Sequence, residues 1–329
     1  MQTPPATYVF DTVVPSPPSA DDYLASSIGD QLTPLGSLPA SVDLSGQMLS
    51  VRRDPGTGAA AFATSAMREY FAVKLQKIGY FLSPQFIYDV RSTSGPTIHL
   101  RDALNTLKTR GVCPDKDHPL SSSDTPVDLT TGRPAISDTA ISNALAFRAT
   151  SYWRVSSVDD ARQWLYEFGP LVFMIDVFAC NSGCAAWNMW KPSAAQTSDA
   201  TSIGGHAMCF VGYNDQTRQL KVRNSWGPTW NGDGHCFMSY DDWSWVVECW
   251  GIDPVLPPSI PPYYLNALLV ESYVEPYNIP ASPPPRPPRV PLGADGLVYI
   301  NILVCLLVVV GVSAVVLWAI KLAFFRSTV

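Results

Sequence analysis

Two short segments carry side chains whose types and spacing suit proton transfer. The first runs Gly204-Gly205-His206-Ala207-Met208-Cys209-Phe210-Val211-Gly212-Tyr213; the second runs Val222-Arg223-Asn224-Ser225-Trp226-Gly227, followed by Trp230 and Gly232-Asp233-Gly234. A histidine opening an apolar strand and an asparagine closing the next strand of a hairpin place an imidazole beside an amide, which then fixes the ring's tautomer and tilt. Trp226, two residues past Asn224, can shield that bond from water. Each residue alone has an ordinary reading, a histidine satisfied within a strand and a turn of Asn-Ser-Trp-Gly. Their combination is the specific signal.

The elements that must hold these residues change character along the chain. Phe62, Ala66, Tyr70 and Val73 fall on one stripe and predict a helix from Gly58 to Ile78, capped by Thr57 and closed by Gly79. A second helix is predicted over Leu100–Arg110, stopped by Gly111. A third starts at the cap Ser157, carries Trp164, Leu165 and Phe168, and ends at Gly169-Pro170. Strands follow at Leu171–Val177, His206–Tyr213, Leu220–Asn224 and His235–Ser239, with Asn214-Asp215-Gln216-Thr217 joining a hairpin. A helical half thus precedes a β-rich half, giving an α+β class.

The pairing of a Gly-His-Ala strand with an Asn-Ser-Trp-Gly turn resembles the papain family of cysteine peptidases. Other stretches fit in order: Leu38-Pro39-Ala40-Ser41-Val42-Asp43 looks like the start of the mature enzyme, and Leu82-Ser83-Pro84-Gln85-Phe86 like the segment after its central helix. Leu100 to Leu104, Gly111-Val112-Cys113-Pro114 and Gly169-Pro170-Leu171-Val172 are similar to the bacterial and viral branches. The resemblance covers Leu38 to Tyr240 and implies a two-lobe fold, a helical lobe plus a β-barrel-like lobe. It also implies three catalytic parts: a thiolate at the start of the central helix, an imidazole across the cleft, and a glutamine in the oxyanion hole.

The chain departs from that pattern at the first and third parts. The family's motif is Gln-Gly-x-Cys-Gly-Ser-Cys-Trp-Ala-Phe, and the matching stretch is Arg53-Asp54-Pro55-Gly56-Thr57-Gly58-Ala59-Ala60-Ala61-Phe62. Anchored on Ala61-Phe62, the nucleophile position is Ala59 and the oxyanion position is Arg53, or Pro55 with a gap. One engineered Cys→Ala change would leave the glutamine, serine and tryptophan intact, and all three are missing; natural loss of activity fits better. The expected remnant is therefore Ala59, His206, Asn224 and the shielding Trp226, with Arg53 at the oxyanion position. Thr57 and Thr64 are out of phase for a displaced nucleophile, and Cys209 points to the strand face opposite His206.

No cofactor or metal is expected. Cys113, Cys209, Cys236 and Cys249 read as buried structural thiols, while Cys180 and Cys184 leave a small disulfide or, less favourably, a zinc site open. The 329 residues carry a net charge of −6, and the longest basic run is Arg52-Arg53, which argues against a nucleic-acid partner. The resembling family carries a long propeptide over its cleft; with 37 residues before Leu38, the N-terminal arm is expected to exert no such control.

Of 30 prolines, 13 fall between Pro254 and Pro291, which marks a linker. Its stretch Ser282–Pro291 suits a polyproline II stalk of about 30 Å. Leu297 to Ile320 is apolar apart from Asn301 and Ser313 and is long enough, at ~36 Å as a helix, to cross a bilayer. The chain divides into an arm (1–36), a papain-like domain (37–250), a Pro-rich extension and stalk (251–294) and a transmembrane helix (295–325). With no secretory signal at the N-terminus, a single-pass tail anchor with the bulk on the cytosolic side is expected. The reading is a membrane-anchored pseudo-peptidase, a structural or docking protein that binds the bilayer through Leu297 to Ile320 and a protein partner, such as a capsid layer at a virion inner membrane. Its rival is a membrane-tethered cysteine peptidase whose nucleophile was mutated or displaced.

Overall fold

The computed structural model describes residues 13–19, 22–27, 33–54, 58–93, 98–120, 135–178 and 202–254. All belong to one contact unit, Met1–Ile279; the second unit, Pro280–Val329, lies outside the described residues. So do the stalk, the apolar segment Leu297 to Ile320, and Cys180, Cys184 and Cys305. Among the described residues, no helix is long and apolar enough to cross a membrane.

Helix α1, Ala59–Gln76, is the centre of the helical lobe, and every residue from Ala59 to Val73 is buried. Alanines at four of its first five positions cost no rotamer entropy and let strands and helices approach on all sides. Its ends correct the sequence reading. Gly58 holds the cap position without a side-chain bond, Thr57 lies outside the described residues, and Lys77, in the left-handed region at φ 53°, closes the helix two residues before Gly79.

Helices α2 (Pro84–Asp89) and α3 (Leu100–Thr109) pack around it, and α4 (Asp138–Ala144) packs with Phe86 of α2 and Cys113 in a smaller cluster. Leu100, Ala103, Leu104 and Leu107 form the buried stripe of α3, and Gly111 ends it at φ +80°, where a Cβ would lie 1.9 Å from the Ala144 carbonyl oxygen. Helix α5, Val158–Glu167, begins as predicted: the Ser157 hydroxyl accepts from the Asp160 N–H at 3.0 Å.

The remaining strands build a sheet ordered β2-β5-β10-β6-β7-β1-β4, with β3 and β8 also on β7, and β9 on β8. Here β1 is Val13–Val14, β2 Tyr23–Leu24, β3 Ser41–Asp43, β4 Ile98–His99 and β5 Ala149–Arg154. The others are β6 Leu171–Phe178, β7 Ser202–Asn214, β8 Gln219–Arg223, β9 His235–Ser239 and β10 Val246–Pro254. The four predicted strands are present, and the Asn214 Oδ1 accepts from the Gln216 and Thr217 N–H groups at 2.9 and 3.2 Å to shape the hairpin turn.

Strands β5 and β10 carry no clean alternation, and pairing on both flanks makes β10 a strand. It continues past residue 250, and two strands of the arm join the sheet, so the folded unit is wider than residues 37–250.

Candidate functional site

His206 sits in β7 opposite Ile175 of β6 and is fully buried. Its Nε2 lies 2.8 Å from the Asn224 Oδ1. That oxygen also accepts from the Ser225 N–H at 2.8 Å, which fixes the amide's orientation. An oxygen facing the ring can only accept, so Nε2 carries the ring proton. Asn224 is held in turn by its own N–H, which donates to the Gly234 carbonyl at 3.0 Å. Trp226 stacks on the imidazole with centroids 5.0 Å apart and planes 24° from parallel, and Trp230 meets Trp226 edge-on at 5.2 Å. The shield read from the sequence is therefore a pair of indoles.

Segment 52–54, which leads to α1, runs alongside the turn after β8. Arg53 pairs antiparallel with Trp226, the Asp54 N–H donates to the Ser225 carbonyl at 2.7 Å, and the Gly227 N–H donates to the Arg52 carbonyl at 3.1 Å. These bonds bring the candidate oxyanion residue and the histidine's aromatic cover onto one seam. Ala59, 2% exposed, is the first residue of α1, and Arg53 is exposed.

Burial alone pushes the His206 pKa down to about 4, against a smaller upward pull from Asn224, so the ring is neutral at pH 7. The sign of its linkage follows. The folded value lies below the unfolded 6.5, so the stabilisation is complete above pH 6.5 and is lost as pH falls through 6.5 towards 4. Urea unfolding at pH 7 and pH 4 should show the wild type losing about 3 kcal/mol more than His206→Gln, at ~1.4 kcal/mol per pH unit.

Beneath this layer lies a charge cluster that sequence reasoning missed. The Arg52 guanidinium binds Glu69 at 2.8 Å and Asp115 at 3.1 Å, and also donates to the Leu82 carbonyl at 2.8 Å. Glu69 accepts from the Leu82 N–H as well, at 2.9 Å, and burial raises its pKa despite Arg52. Buried Arg223 donates to the Ser50 carbonyl at 2.8 Å. Arg52, Glu69, Arg223 and Asn224 line a small cavity between α1 and β7, together with Phe62, Cys209 and Ser225. The residues lie far apart in sequence, and no local spacing announces their meeting.

The cysteines in view are inert. Cys113, Cys209, Cys236 and Cys249 are buried and free, and burial pushes the Cys113 and Cys209 thiols up to about 12. Cys209 donates to the Ala63 carbonyl on α1 at 3.2 Å. Thr64 is wholly buried in α1. Among the described residues no group of three or more His, Cys, Asp or Glu side chains is placed to hold a metal ion.

The N-terminal arm joins the sheet next to the site. Val13 pairs with Gly205, the residue before His206, and β1 also runs parallel to β4 through Val13–Ile98 and Val14–His99. One residue of the arm thus joins the edge of β7 to the residues leading into α3. Further on, the Ser16 N–H and hydroxyl donate to buried Glu248 at 3.1 and 3.0 Å, Arg101 binds Asp22 at 2.6 Å, and β2 pairs with β5.

A fold of this shape, with an imidazole–amide pair under a tryptophan and a helix opening beside it, defines a papain-type protein. The chain belongs to that family: the model for the papain family cysteine protease matches residues 38–249. A solved structure of xylellain, a cysteine protease from Xylella fastidiosa, superposes with a TM-score of 0.59 at 25% identity, covering 78% of this chain and 99% of that one. A procathepsin B from Trypanosoma congolense gives 0.59 at 15% identity, over 76% of this chain and 87% of the other, a likeness of fold alone. A peptidase C1-like protein of Acanthamoeba polyphaga mimivirus is 26% identical over 172 residues, 49% of this chain; the chain spans about half, 53%, of that relative's length.

Proposed function

We propose that the chain is a membrane-anchored papain-family pseudo-peptidase that works as a structural or docking protein. The observation that carries this reading is Ala59 as the first residue of α1, where the family motif places its thiol. A methyl group cannot form an acyl-enzyme intermediate. Two further features support it. Arg53 replaces the neutral amide donor of the oxyanion hole, and His206 is buried as a neutral imidazole with no thiolate to stabilise its charged form.

Val13 and Val14 pair with β4, and Val13 with β7 next to His206, where they compete with any extended peptide for those strand edges. With no nucleophile to cut the arm, it stays in place, and partners dock on surfaces outside the cleft. The apolar stretch Leu297 to Ile320 supplies the anchor and the Pro-rich stalk the spacing from the bilayer. The mimivirus relative supports a setting in a large DNA virus, with a virion membrane bridged to a capsid layer.

The test has two arms. Flotation with liposomes should carry the full chain and leave behind a chain lacking residues 295–325. A thiol-directed epoxide probe should place no adduct on residues 53–66. Full-chain protein that stays with the unfloated fraction would remove the anchor, and a His206-dependent adduct would remove the pseudoenzyme.

A further inference from the structure

Asp54 is a carboxylate in an unexpected place. In the ungapped match the family motif has glycine there, beside the oxyanion position Arg53 and five positions before Ala59. In this chain the Asp54 side chain is 3% exposed and folds back onto the start of α1, its Oδ1 accepting from the Gly58 N–H at 3.1 Å. The same oxygen lies 3.4 Å from where a Cβ on Gly58 would stand, so the carboxylate sits at the cap residue immediately before the helix. That end of an 18-residue helix carries the positive pole and the unbonded N–H groups which elsewhere lower a thiol's pKa and hold an oxyanion.

We propose that Asp54 has taken over the anion position at the start of α1, so that the helix's positive end is neutralised from within the chain and no longer serves a thiolate or an oxyanion. Arg52 is committed to Glu69 and Asp115, Arg53 is exposed, and His206 is a neutral ring under Trp226. A like charge in a buried site opposes formation of a second anion. The loss of the thiol is then locked in by a second residue: a reversion to cysteine alone would give an unreactive thiol. This inference rests on the reading of Ala59 as the nucleophile position, and adds that the site's electrostatics have changed with it.

The test introduces the missing sulfur and reads its titration. Full-chain Ala59→Cys and Ala59→Cys/Asp54→Asn are alkylated with iodoacetamide across pH 5–10, and the peptide containing residue 59 is quantified by mass spectrometry. Asparagine keeps an oxygen to accept from the Gly58 N–H and removes only the charge, so the double variant retains the cap. The midpoint of the rate profile is used because it does not depend on how accessible the thiol is. Ala59→Cys should titrate at or above an ordinary thiol, and the double variant at least one unit lower, a tenfold gain in thiolate at pH 6. Equal midpoints, or a single variant already titrating far below an ordinary thiol, would overturn the role of Asp54. Either result leaves Ala59 as the native residue, whereas peptide turnover by native protein would refute the pseudoenzyme without moving these midpoints.

Discussion

Replacing Glu69 by alanine should cost the domain about 3–5 kcal/mol, the scale of removing one partner from a buried ion pair. Glu69 is 2% exposed and is bound by both the Arg52 guanidinium and the Leu82 N–H; Arg223, fully buried nearby, also draws on its charge. The truncation removes the carboxylate whose charge favours buried Arg223 and leaves Arg52 paired with Asp115. Because Arg52 also binds the Leu82 carbonyl and Ser65, the loss should loosen the joint between α1, the segment before it and the 82–115 region. Urea denaturation reads the effect. Arg218→Ala, which breaks an ion pair with both partners exposed, is the control and should change stability by less than about 1 kcal/mol.

The second large effect is expected at Gly205. A Cβ there would lie 2.1 Å from the Val13 carbonyl oxygen and 2.4 Å from the Met174 Cε. The methionine end can move, but the backbone carbonyl can do so only if β1 leaves the sheet. Gly205→Val should therefore evict the arm: the amides of β1 and β2 lose hydrogen-exchange protection together, and the domain loses roughly 1–3 kcal/mol from overpacking and lost pairing. Gly46→Val, where the added atom meets nothing within 4 Å, should leave the arm protected. Retained protection in Gly205→Val would mean that β1 does not hold the edge of β7.

The sequence made the site legible wherever its parts are local. His206 and Asn224 are 18 residues apart on strands joined by a short hairpin, and their bond follows from strand alternation and the turn. The caps of α5 and the stop of α3 were equally readable, because Ser157 and Gly111 act on their own neighbours. Long-range partners left no such trace. Val13 finds Gly205 across 192 positions, and Ser16 finds Glu248 across 232, with nothing in Val13-Val14-Pro15-Ser16 beyond a two-residue apolar pair to announce a strand. Strand β10 was missed for the same reason: its character comes from β5 and β6 on its flanks. The Asp54 carboxylate turned towards α1 is likewise shown only by the fold.

Ala59 and Asp54 bear on function differently. On the proposed reading Ala59 leaves α1 without a nucleophile, and Asp54 opposes the field that would activate one. The His206–Asn224 pair is part of the buried fold. The buried ring carries its proton on Nε2, satisfied by the Asn224 oxygen, and is sealed by Trp226. Conversion of this hydrogen-bonded pair to two apolar groups of similar shape should be tolerated far better than loss of either partner alone.

The central claim, that this papain-family chain lacks a working nucleophile, is tested most directly by incubating purified full-length native protein with a diverse peptide mixture, alongside His206→Ala. The account predicts the same cleavage products, at background level, from both. Cleavage by the native protein that disappears in His206→Ala would contradict it.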